Sequence, residues 1–330
     1  MAMQTPAPTS TPVPLRAVAE LLRIIGRGAH GSRALSTEQA QWLMQRMLHN
    51  ELAAAQLGGI LLALRMKGES ADELLGFLQA VELDMPMLDL PSPVVVLASV
   101  NGARKLVNQV PLLALLLQRK GIPTLVIGQT NDDDRLPTAR LWSAVGLPVA
   151  DGADQAQALL RQGDPAYLDL AALSPGLSLL LAQRAVLGVR NVAHTLVKLL
   201  VPVRAPALLL YGHTHAEYGG LTQQVLTARG HTALLLHGCE GEAVPHPSRR
   251  TALLWANPPA AIETPHRLPQ AATATADLPQ SGTDLQASCD WTRAVACGRL
   301  PTPTALEHYA TLVERTALAL RQTGSSFPFR

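Results

Sequence analysis

Apolar side chains in the first ninety residues recur at the three- and four-residue spacing of amphipathic helices. Ser36 with Gln39 forms a capping-box pattern that begins one of them. Helices are predicted over residues 15–27, 36–49, 53–67 and 71–82. The Gly58-Gly59 pair favours close approach of another helix or a ligand. The pattern predicts a helical domain over residues 15–90 after a disordered Pro- and Thr-rich tail over residues 1–14. Because the glycine pair permits close approach of helices, this domain is expected to be used for dimerisation.

The pattern changes after Pro91 and Pro93, where short continuous apolar and β-branched runs replace the helical spacing. Strands are predicted over residues 94–98, 124–128, 207–211, 233–237 and 252–255, and helices over residues 108–120, 133–145, 217–229 and 303–323. This alternation predicts βαβ units, and thus an α/β domain over residues 91–330 with a mainly parallel central sheet. Helices within residues 175–202 interrupt the alternation and are expected to join the small helical N-terminal domain.

The segment Leu187–Pro202 combines the apolar spacing of a helix with a basic opposite face. Arg190, His194 and Lys198 stack at four-residue intervals on that face. No Asp or Glu occurs from residue 170 to residue 210, and this one-sided charge favours a surface that faces an anion. The alternative is an ordinary amphipathic helix whose polar face is only solvated.

The composition gives the chain a small net charge and shows no sign of a membrane protein. The 330 residues carry a formal net charge of +2, which is too small by itself to indicate a nucleic-acid partner. We find no secretory segment and no run of about 18 uncharged apolar residues. The three cysteines have no metal-ligand spacing and are typical of a reducing compartment. The protein is therefore predicted to be cytoplasmic and not bound to a membrane.

Ligands of parallel sheets bind in the loops that follow the strands, and the first such loop is basic. It runs over Ser99–Lys105 and contains a single glycine, Gly102, so it lacks a glycine-rich phosphate cradle. Adjacent Arg104 and Lys105 favour an anion nearby. An ordinary turn is the alternative.

Three other groups have spacings that a metal site could use. Asp132–Asp134 could hold Mg²⁺ or could cap the next helix. The segment His213–Glu217 places two histidines and a glutamate at alternate positions, as in a zinc site, although most such triplets bind no metal. Glu240 and Glu242 could bind a cation or could belong to a surface loop. None of these groups is specific enough to predict a metal site.

Four segments together resemble one known family. They are Asn101–Lys105, Leu187–Leu199, His215–Tyr218 and Leu235–Glu242. With these segments, the chain resembles the YbiB-type DNA-binding proteins, a divergent branch of the anthranilate phosphoribosyltransferase fold in glycosyltransferase family 3. The resemblance extends in order over residues 15–250. It implies a helical N-terminal domain used for homodimerisation, a larger α/β domain, and nucleic acid held in basic grooves of the dimer.

The resemblance also implies a comparison with the enzymes, whose phosphoribosyl pyrophosphate site has three motifs. These motifs are a glycine-rich loop, a Lys-His-Gly-Asn-Arg segment and an Asp-Glu pair for Mg²⁺. In this chain Ser99–Lys105 matches the first motif but has one glycine, and Ile127–Asp132 matches the second motif without its basic groups. Gly241-Glu242 stands where the acidic pair would be. Asn101, Gly102 and Asn108 would form a vestigial phosphate site. Because most partners of pyrophosphate are lost, no cofactor, metal or catalytic residue is predicted.

The predicted function is sequence-nonspecific nucleic-acid binding by a homodimer through basic grooves, with single-stranded DNA as the expected ligand and RNA as an alternative. Arg and Lys side chains would supply phosphate contacts, which position the nucleic acid without reading its bases. The residues predicted to bind are Lys198, Arg190, His194, Arg104, Lys105, Arg23, Arg27, Arg33, Arg65 and Lys67. The alternative function is phosphoribosyl transfer to another acceptor, with phosphoribosyl pyrophosphate and Mg²⁺.

Overall fold

The computed structural model of the chain describes residues 15–28, 30–130, 134–214, 216–268 and 278–323. The tail predicted over residues 1–14 lies outside the described residues. Within the described ranges, no helix is long and apolar enough to cross a membrane. These residues form a helical bundle and a seven-stranded sheet with helices on both faces.

Four helices form the amino-terminal bundle, as the sequence predicts. They are α1 (Leu15–Ile25), α2 (Thr37–Leu48), α3 (Ala54–Lys67) and α4 (Ala71–Asp84). Ser36 and Ser70 begin α2 and α4 as capping boxes, in which the serine side chain accepts a hydrogen bond from the backbone N–H three residues later. Helices α2 and α4 approach closely at Gly76, where a Cβ atom would lie 2.2 Å from the carbonyl oxygen of Thr37. This crossing therefore requires glycine.

The Gly58-Gly59 pair of α3 serves packing inside the chain. A Cβ atom on Gly59 would lie 3.3 Å from Cδ2 of Leu22 in α1. A Cβ atom on Gly58 would lie 4.0 Å from Cδ2 of Leu187. The close approach that this pair permits is thus to the chain's own helices, and homodimerisation through the bundle stays a prediction.

A seven-stranded sheet forms the centre of the larger domain. Its strands are β1 (Val94–Ser99), β2 (Thr124–Gly128), β3 (Val149–Ala150), β4 (Ala166–Asp169), β5 (Ala207–His213), β6 (Thr232–His237) and β7 (Leu253–Ala256). Their spatial order is β3-β4-β2-β1-β5-β6-β7. Among these strands only β6 and β7 pair antiparallel, so the sheet is mainly parallel, as predicted. Sequence analysis missed β3 and β4, which form one side of the sheet.

Helices and the bundle enclose both faces of the sheet. The helices of this part are α5 (Val110–Arg119), α6 (Thr138–Ala144), α7 (Ala153–Gln162), α8 (Leu170–Leu173), α9 (Pro175–Leu187), α10 (Ala193–Leu196), α11 (Ala216–Ala228), α12 (Leu285–Ala296) and α13 (Thr304–Thr323). One face shares its apolar core with the bundle, through residues such as Val94 and Leu209. The other face packs against α5, α6, α12 and α13, and buries Trp142 and Tyr309 completely. The two domains therefore have a continuous apolar core between them.

The helix predicted over Leu187–Pro202 is wrong. Helix α9 ends at Leu187, because Gly188 has φ 70° and takes the left-handed conformation that terminates helices. The chain then turns, and the Asn191 side chain fixes the turn by donating from Nδ2 to the carbonyl oxygen of Leu180 at 2.7 Å. The apolar spacing continues across this turn, but the helical backbone does not.

The helical segment after the turn is short. Helix α10 has four residues and continues into a 3₁₀ turn over Val197–Leu199. Arg190 precedes both, so Arg190, His194 and Lys198 do not share the face of one helix. Helix α9, by contrast, packs on α2 of the bundle, since a Cβ atom on Gly176 would lie 2.4 Å from the carbonyl oxygen of Leu48.

Candidate anion site and basic surface

The loop after β1 lies at the centre of the sheet, because β1 has β2 and β5 on its two sides. Gly102 in this loop has φ 66°, and a Cβ atom there would lie 2.7 Å from the carbonyl oxygen of Leu136. Ala103 and Leu136 exchange backbone hydrogen bonds in both directions. The loop backbone is therefore held in one conformation that only glycine suits at Gly102.

Glu242 binds the first half of this loop. Its Oε1 atom accepts hydrogen bonds from the backbone N–H groups of Asn101 and Gly102, at 2.8 and 2.9 Å. The Asn101 side chain donates from Nδ2 to the carbonyl oxygen of Gly241 at 2.9 Å. Glu242 is 2% exposed, and burial raises the pKa of its carboxyl. A carboxyl group of the chain itself thus takes donors that an external oxyanion would use.

Glu240 binds the second half of the loop. Its Oε2 atom accepts from the N–H of Arg104 at 2.7 Å, and its Oε1 atom accepts from the N–H groups of Lys105 and Leu106 at 2.8 and 3.2 Å. The Arg135 Nη1 atom lies 3.5 Å from Oε2. One carboxylate is therefore held by three backbone donors and a guanidinium group.

Lys198 is half-buried beside this loop, and the prediction that it lies on an exposed helix face is wrong. Its Nζ atom donates to the carbonyl oxygens of Gly212 and Gly241, at 2.9 and 2.8 Å. Burial lowers the pKa of Lys198 to about 8, although the Glu242 carboxyl acts in the opposite direction. The ammonium group joins β5 to the segment after β6, so a phosphate contact would require breaking these bonds.

His194 and Arg190 also differ from the predicted basic stripe. The His194 Nδ1 atom accepts a hydrogen bond from the N–H of Asn191 at 3.3 Å, and its ring is half-buried. Burial, and then the charge of Arg190, lower the pKa of His194 to about 3. The His194 ring is therefore neutral at pH 7 and adds no positive charge. Arg190 itself is half-buried.

The remaining polar side chains near the loop bind one another. Asn108 donates from Nδ2 to the Thr138 hydroxyl, which also contacts the Ser99 hydroxyl. The cavity between Asn108, the loop and the segment after β6 has a volume of about 10 Å³. This volume suits one water molecule and excludes a phosphoribosyl group. The vestigial phosphate site predicted at Asn101, Gly102 and Asn108 is therefore closed.

A larger cleft, of about 550 Å³, opens near the carboxyl ends of β2 and β4. Its charged and polar lining includes Gln129, Thr130, Asp134, Asp169, Arg184 and His194. Asp169 caps α8 by accepting a hydrogen bond from the N–H of Ala171 at 2.7 Å. Acidic and basic side chains face the same space, and this mixture does not favour a polyanion.

Two groups of basic side chains are exposed where the sequence predicts phosphate contacts. Arg104 and Lys105 are exposed on the loop after β1. Arg23, Arg27 and Arg33 are exposed where α1 ends. The chain folds back there, since the N–H of Arg33 donates to a carbonyl oxygen in the last turn of α1 at 3.0 Å. Each group thus places several positive charges within a short stretch of surface.

Arg65 and Lys67, at the end of α3, have different surroundings. Arg65 is exposed, and its Nη1 atom lies 3.4 Å from the Tyr218 hydroxyl. The Lys67 Nζ atom donates to Oε2 of Glu73 at 2.6 Å, and the Glu73 side chain is fully buried. A phosphate contact by Lys67 conflicts with this pair, because leaving a buried carboxylate without its partner is costly.

The groups considered as metal sites do not assemble in the described ranges. Helix α6 begins at Thr138 with Pro137 at its cap position, so Asp134 does not cap it. Residues 132 and 133 of the run Asp132–Asp134 lie outside the described residues. His215 also lies outside them. Glu240 and Glu242 bind backbone N–H groups. No group of three His, Cys, Asp or Glu among the described residues could hold a metal ion.

A comparison with curated proteins finds YbiB of Escherichia coli strain K12, which is 39% identical over 235 residues. The match covers 70% of this chain and 73% of YbiB. The chain belongs to the YbiB family. In addition, the helical bundle domain of the glycosyl transferase family matches residues 19–82, which lie in the α1–α4 bundle. This YbiB-family chain therefore carries the bundle of glycosyltransferase family 3.

Anthranilate phosphoribosyltransferases share the fold of this YbiB-family chain. The enzyme of Clavibacter sepedonicus is 28% identical over 211 residues, 63% of this chain and 60% of the enzyme. The chain thus spans about 60% of that enzyme's length in the match. The structure of the Thermus thermophilus enzyme has a TM-score of 0.73 at 19% identity and covers 94% of both chains. The Saccharomyces cerevisiae enzyme, in complex with PRPP and Mg, has a TM-score of 0.67 at 14% identity.

Sequence analysis missed Glu240 and Arg135 as partners of the loop in this member of the YbiB family. The hydrogen-bonded pairs between Glu240 and the loop are 134 to 136 residues apart in sequence. Periodicity gives no information at that range. The available signal was the order of strands, because the loop after β1 and the segment after β6 lie at the same edge of a parallel sheet.

Proposed function

We propose that this protein binds nucleic acid through its phosphate groups, without sequence preference, and that it does not transfer phosphoribosyl groups. The proposal rests on one observation: the carboxyl groups of Glu240 and Glu242 accept hydrogen bonds from the backbone N–H groups of the loop after β1. These carboxyl groups take N–H donors that a pyrophosphate would need, whereas the Arg104 and Lys105 side chains stay exposed on the same loop. The proposed ligand is single-stranded DNA, and duplex DNA and RNA are outcomes of the test.

A second basic surface supports this proposal from the bundle. Arg23, Arg27 and Arg33 are exposed where α1 ends, and Arg65 is exposed in the last turn of α3. Arginine forms forked hydrogen bonds with phosphate oxygens, so such groups give affinity that depends on salt and little on sequence. The formal net charge of +2 is consistent with a local rather than a global attraction for a polyanion.

Exposed apolar side chains on the bundle support a homodimer as the binding form. Met66 in α3 is 84% exposed, and Val186 in α9 is 79% exposed. Helices α3 and α9 are neighbours, because Gly58 lies against Leu187. Burying these side chains between two copies would remove apolar surface from water. Sedimentation velocity measures the mass of the protein in solution. A monomer at micromolar concentration would contradict the proposed homodimer.

Replacing Arg104 and Lys105 together with alanine should weaken binding of a labelled deoxythymidine oligonucleotide by about tenfold at low salt, because two phosphate contacts are lost. For single-stranded DNA, the slope of log K against log salt concentration should become shallower by about 0.7 for each contact. Fluorescence anisotropy over a range of salt concentrations measures both quantities. The same titrations with a duplex and with RNA compare the three ligands.

The matched control replaces Arg161 and Arg315, which are exposed on α7 and α13, and so removes the same charge elsewhere. The affinity and the salt slope of this control should stay near those of the parent protein. Unchanged binding in the Arg104 and Lys105 variant would contradict a contact by the loop. Equal weakening in both variants would show that net charge alone determines affinity.

A second candidate function is phosphoribosyl transfer to another acceptor with phosphoribosyl pyrophosphate and Mg²⁺. It is favoured by the cleft of about 550 Å³ at the carboxyl ends of β2 and β4, and by the fold shared with anthranilate phosphoribosyltransferases. We expect no detectable turnover of anthranilate, because the closed loop leaves a cavity of about 10 Å³ beside it. An assay that gives about 1 s⁻¹ or more would favour the transferase instead.

A further inference from the structure

A groove with an apolar lining runs between α1 and α2 of the bundle. It has a volume of about 390 Å³, and its apolar side chains include Leu21 and Ile24 of α1 and Trp42 of α2. We call it the Trp42 groove. Its described lining residues all belong to these two helices. Pockets that bind small molecules have volumes of roughly 300 to 1,000 Å³, so the groove has room for a ring system such as a nucleobase.

The Trp42 ring in this groove is held in place from within the bundle. It is half-buried and packs against the apolar core. The Arg46 Cζ atom lies 4.9 Å from the centroid of the ring, and the Arg46 Nε atom lies 3.2 Å from Oε2 of Glu51. The guanidinium group thus lies over the ring and is itself held by a carboxylate. Trp42 therefore provides a fixed, partly exposed aromatic surface, which loses little conformational freedom when another ring stacks on it.

The charged side chains inside the groove are negative. Glu20 and Glu38 line it, and both are exposed. Oε1 of Glu20 lies 3.7 Å from Nε of Arg16, and Oε2 of Glu38 accepts a hydrogen bond from the Ser36 hydroxyl at 2.8 Å. Hydrogen bonds from the backbone, and then from Ser36, lower the pKa of the Glu38 carboxyl. A phosphate inside the groove would be repelled by these carboxylates, so the groove favours a neutral ring.

Positive side chains lie just outside the groove. The N–H of Arg33 donates to the carbonyl oxygen of Ile24 at 3.0 Å, so Arg33 is fixed beside a residue that lines the groove. Arg23 follows Glu20 by three positions on α1, and such side chains are neighbours on a helix surface. Both arginine side chains are exposed. A groove that suits a neutral ring therefore has groups for anions at its border.

We propose that the Trp42 groove binds an unpaired base of single-stranded DNA, which stacks on the Trp42 ring while Arg23 and Arg33 contact the neighbouring phosphates. Stacking on an aromatic side chain tolerates every base, because each base has a π face. A base inside a duplex is covered by its neighbours and cannot enter the groove. The inference rests on the proposed function and deepens it, since it names the feature by which the protein distinguishes a single strand from a duplex.

An oligomer without bases tests the contact directly. A deoxythymidine oligonucleotide and an abasic oligomer of the same length carry the same phosphates, so base contacts distinguish them. The parent protein should bind the deoxythymidine oligonucleotide about tenfold more tightly or better, as expected when a base stacks on an aromatic ring. Fluorescence anisotropy with a label on each oligomer measures both affinities at one salt concentration.

Three variants locate the preference for bases. Trp42→Leu removes the ring and should lower the preference for the deoxythymidine oligonucleotide over the abasic oligomer by about fivefold or more. Trp42→Phe keeps a flat ring and should retain part of the preference. The control Leu83→Ala removes a side chain that is 62% exposed on α4 of the same bundle, and its preference should equal the parent's. Circular dichroism and chemical denaturation confirm that each variant is folded.

Tryptophan fluorescence gives a second readout that a purely structural role of Trp42 would not produce. Of the four tryptophans, Trp142, Trp255 and Trp291 are buried, whereas Trp42 is half-buried. A base that stacks on an indole ring quenches its emission. The deoxythymidine oligonucleotide should therefore quench the fluorescence of the parent protein, the abasic oligomer should not, and the quenching should be absent from Trp42→Phe.

The outcomes separate the inference from the proposed function. Equal affinity of the parent protein for the two oligomers overturns the inference and leaves the proposed function standing, because phosphates alone then account for binding. An undiminished preference in folded Trp42→Leu, or quenching that persists in Trp42→Phe, also overturns the inference. If Trp42→Leu keeps the preference but becomes monomeric, the groove belongs to an interface with a second copy of the chain. Binding of neither oligomer overturns the proposed function together with the inference.

Discussion

Replacing Lys198 with glutamate should unfold the protein or lower its free energy of unfolding by at least about 3 kcal/mol. The Nζ atom of the half-buried Lys198 donates to the carbonyl oxygens of Gly212 and Gly241. Glutamate would leave both carbonyl oxygens without that donor and would bring a second carboxyl group towards Glu242. Chemical denaturation followed by circular dichroism measures the change in free energy.

Two substitutions separate the loss of the ammonium group from the effect of reversing the charge. Lys198→Met keeps an apolar stem of similar length and removes the ammonium group, so it should cost less than Lys198→Glu. Arg104→Glu makes the same charge reversal at an exposed position, and it should change the free energy of unfolding by less than about 0.5 kcal/mol. A Lys198→Glu protein with the parent's unfolding midpoint would contradict the role of these hydrogen bonds and would restore the exposed basic face.

Replacing Gly76 with valine should lower the free energy of unfolding by roughly 3 kcal/mol, because it forces two helices of the bundle apart. A Cβ atom on Gly76 would lie 2.2 Å from the carbonyl oxygen of Thr37 and 2.9 Å from the Cβ atom of Ala40. Neither atom can rotate away, since one belongs to the backbone and the other is fixed to it. Thermal and chemical unfolding of the variant measure the loss.

The chain offers a matched control for this substitution in another helix. Gly220 lies in α11, and among the described residues no side chain and no backbone outside its own helix lies within 4 Å of the place that its Cβ atom would take, its two chain neighbours aside. Gly220→Ala should therefore raise the free energy of unfolding by up to about 1 kcal/mol, since alanine favours the helix. If Gly76→Val and the control were tolerated equally well, the close crossing of α2 and α4 would be refuted.

Local patterns predicted the parts of the fold that have a strong period. The four bundle helices and the central strands β1, β2, β5 and β6 lie where the apolar spacing places them. Strand β4, over Ala166–Asp169, was missed because its four residues are too few to show a period and α8 follows it immediately. The helix over Leu187–Pro202 was wrong because apolar spacing does not register the left-handed Gly188 that ends α9.

The candidate site was less predictable than the fold. The exposure of Arg104 and Lys105 follows from their position in a loop between two buried segments. The hydrogen bonds of Lys198 do not follow from its spacing, because its partners are carbonyl oxygens that every residue possesses. The same holds for Glu240, whose partners are backbone N–H groups far away in sequence. Such contacts depend on the order of the strands, which no single segment encodes.

The packing of α9 on α2 has a consequence for synthesis on the ribosome. The Leu48 region of the bundle is covered by Gly176 and its neighbours, which are translated about a hundred residues after α4. At a translation rate of about 5 to 20 residues per second, the segment that packs on the bundle is synthesised roughly 5 to 20 s after the first four helices. During this interval their apolar side is open to chaperones and to other nascent chains. Completion of the amino-terminal unit is therefore tied to translation of the central part of the chain.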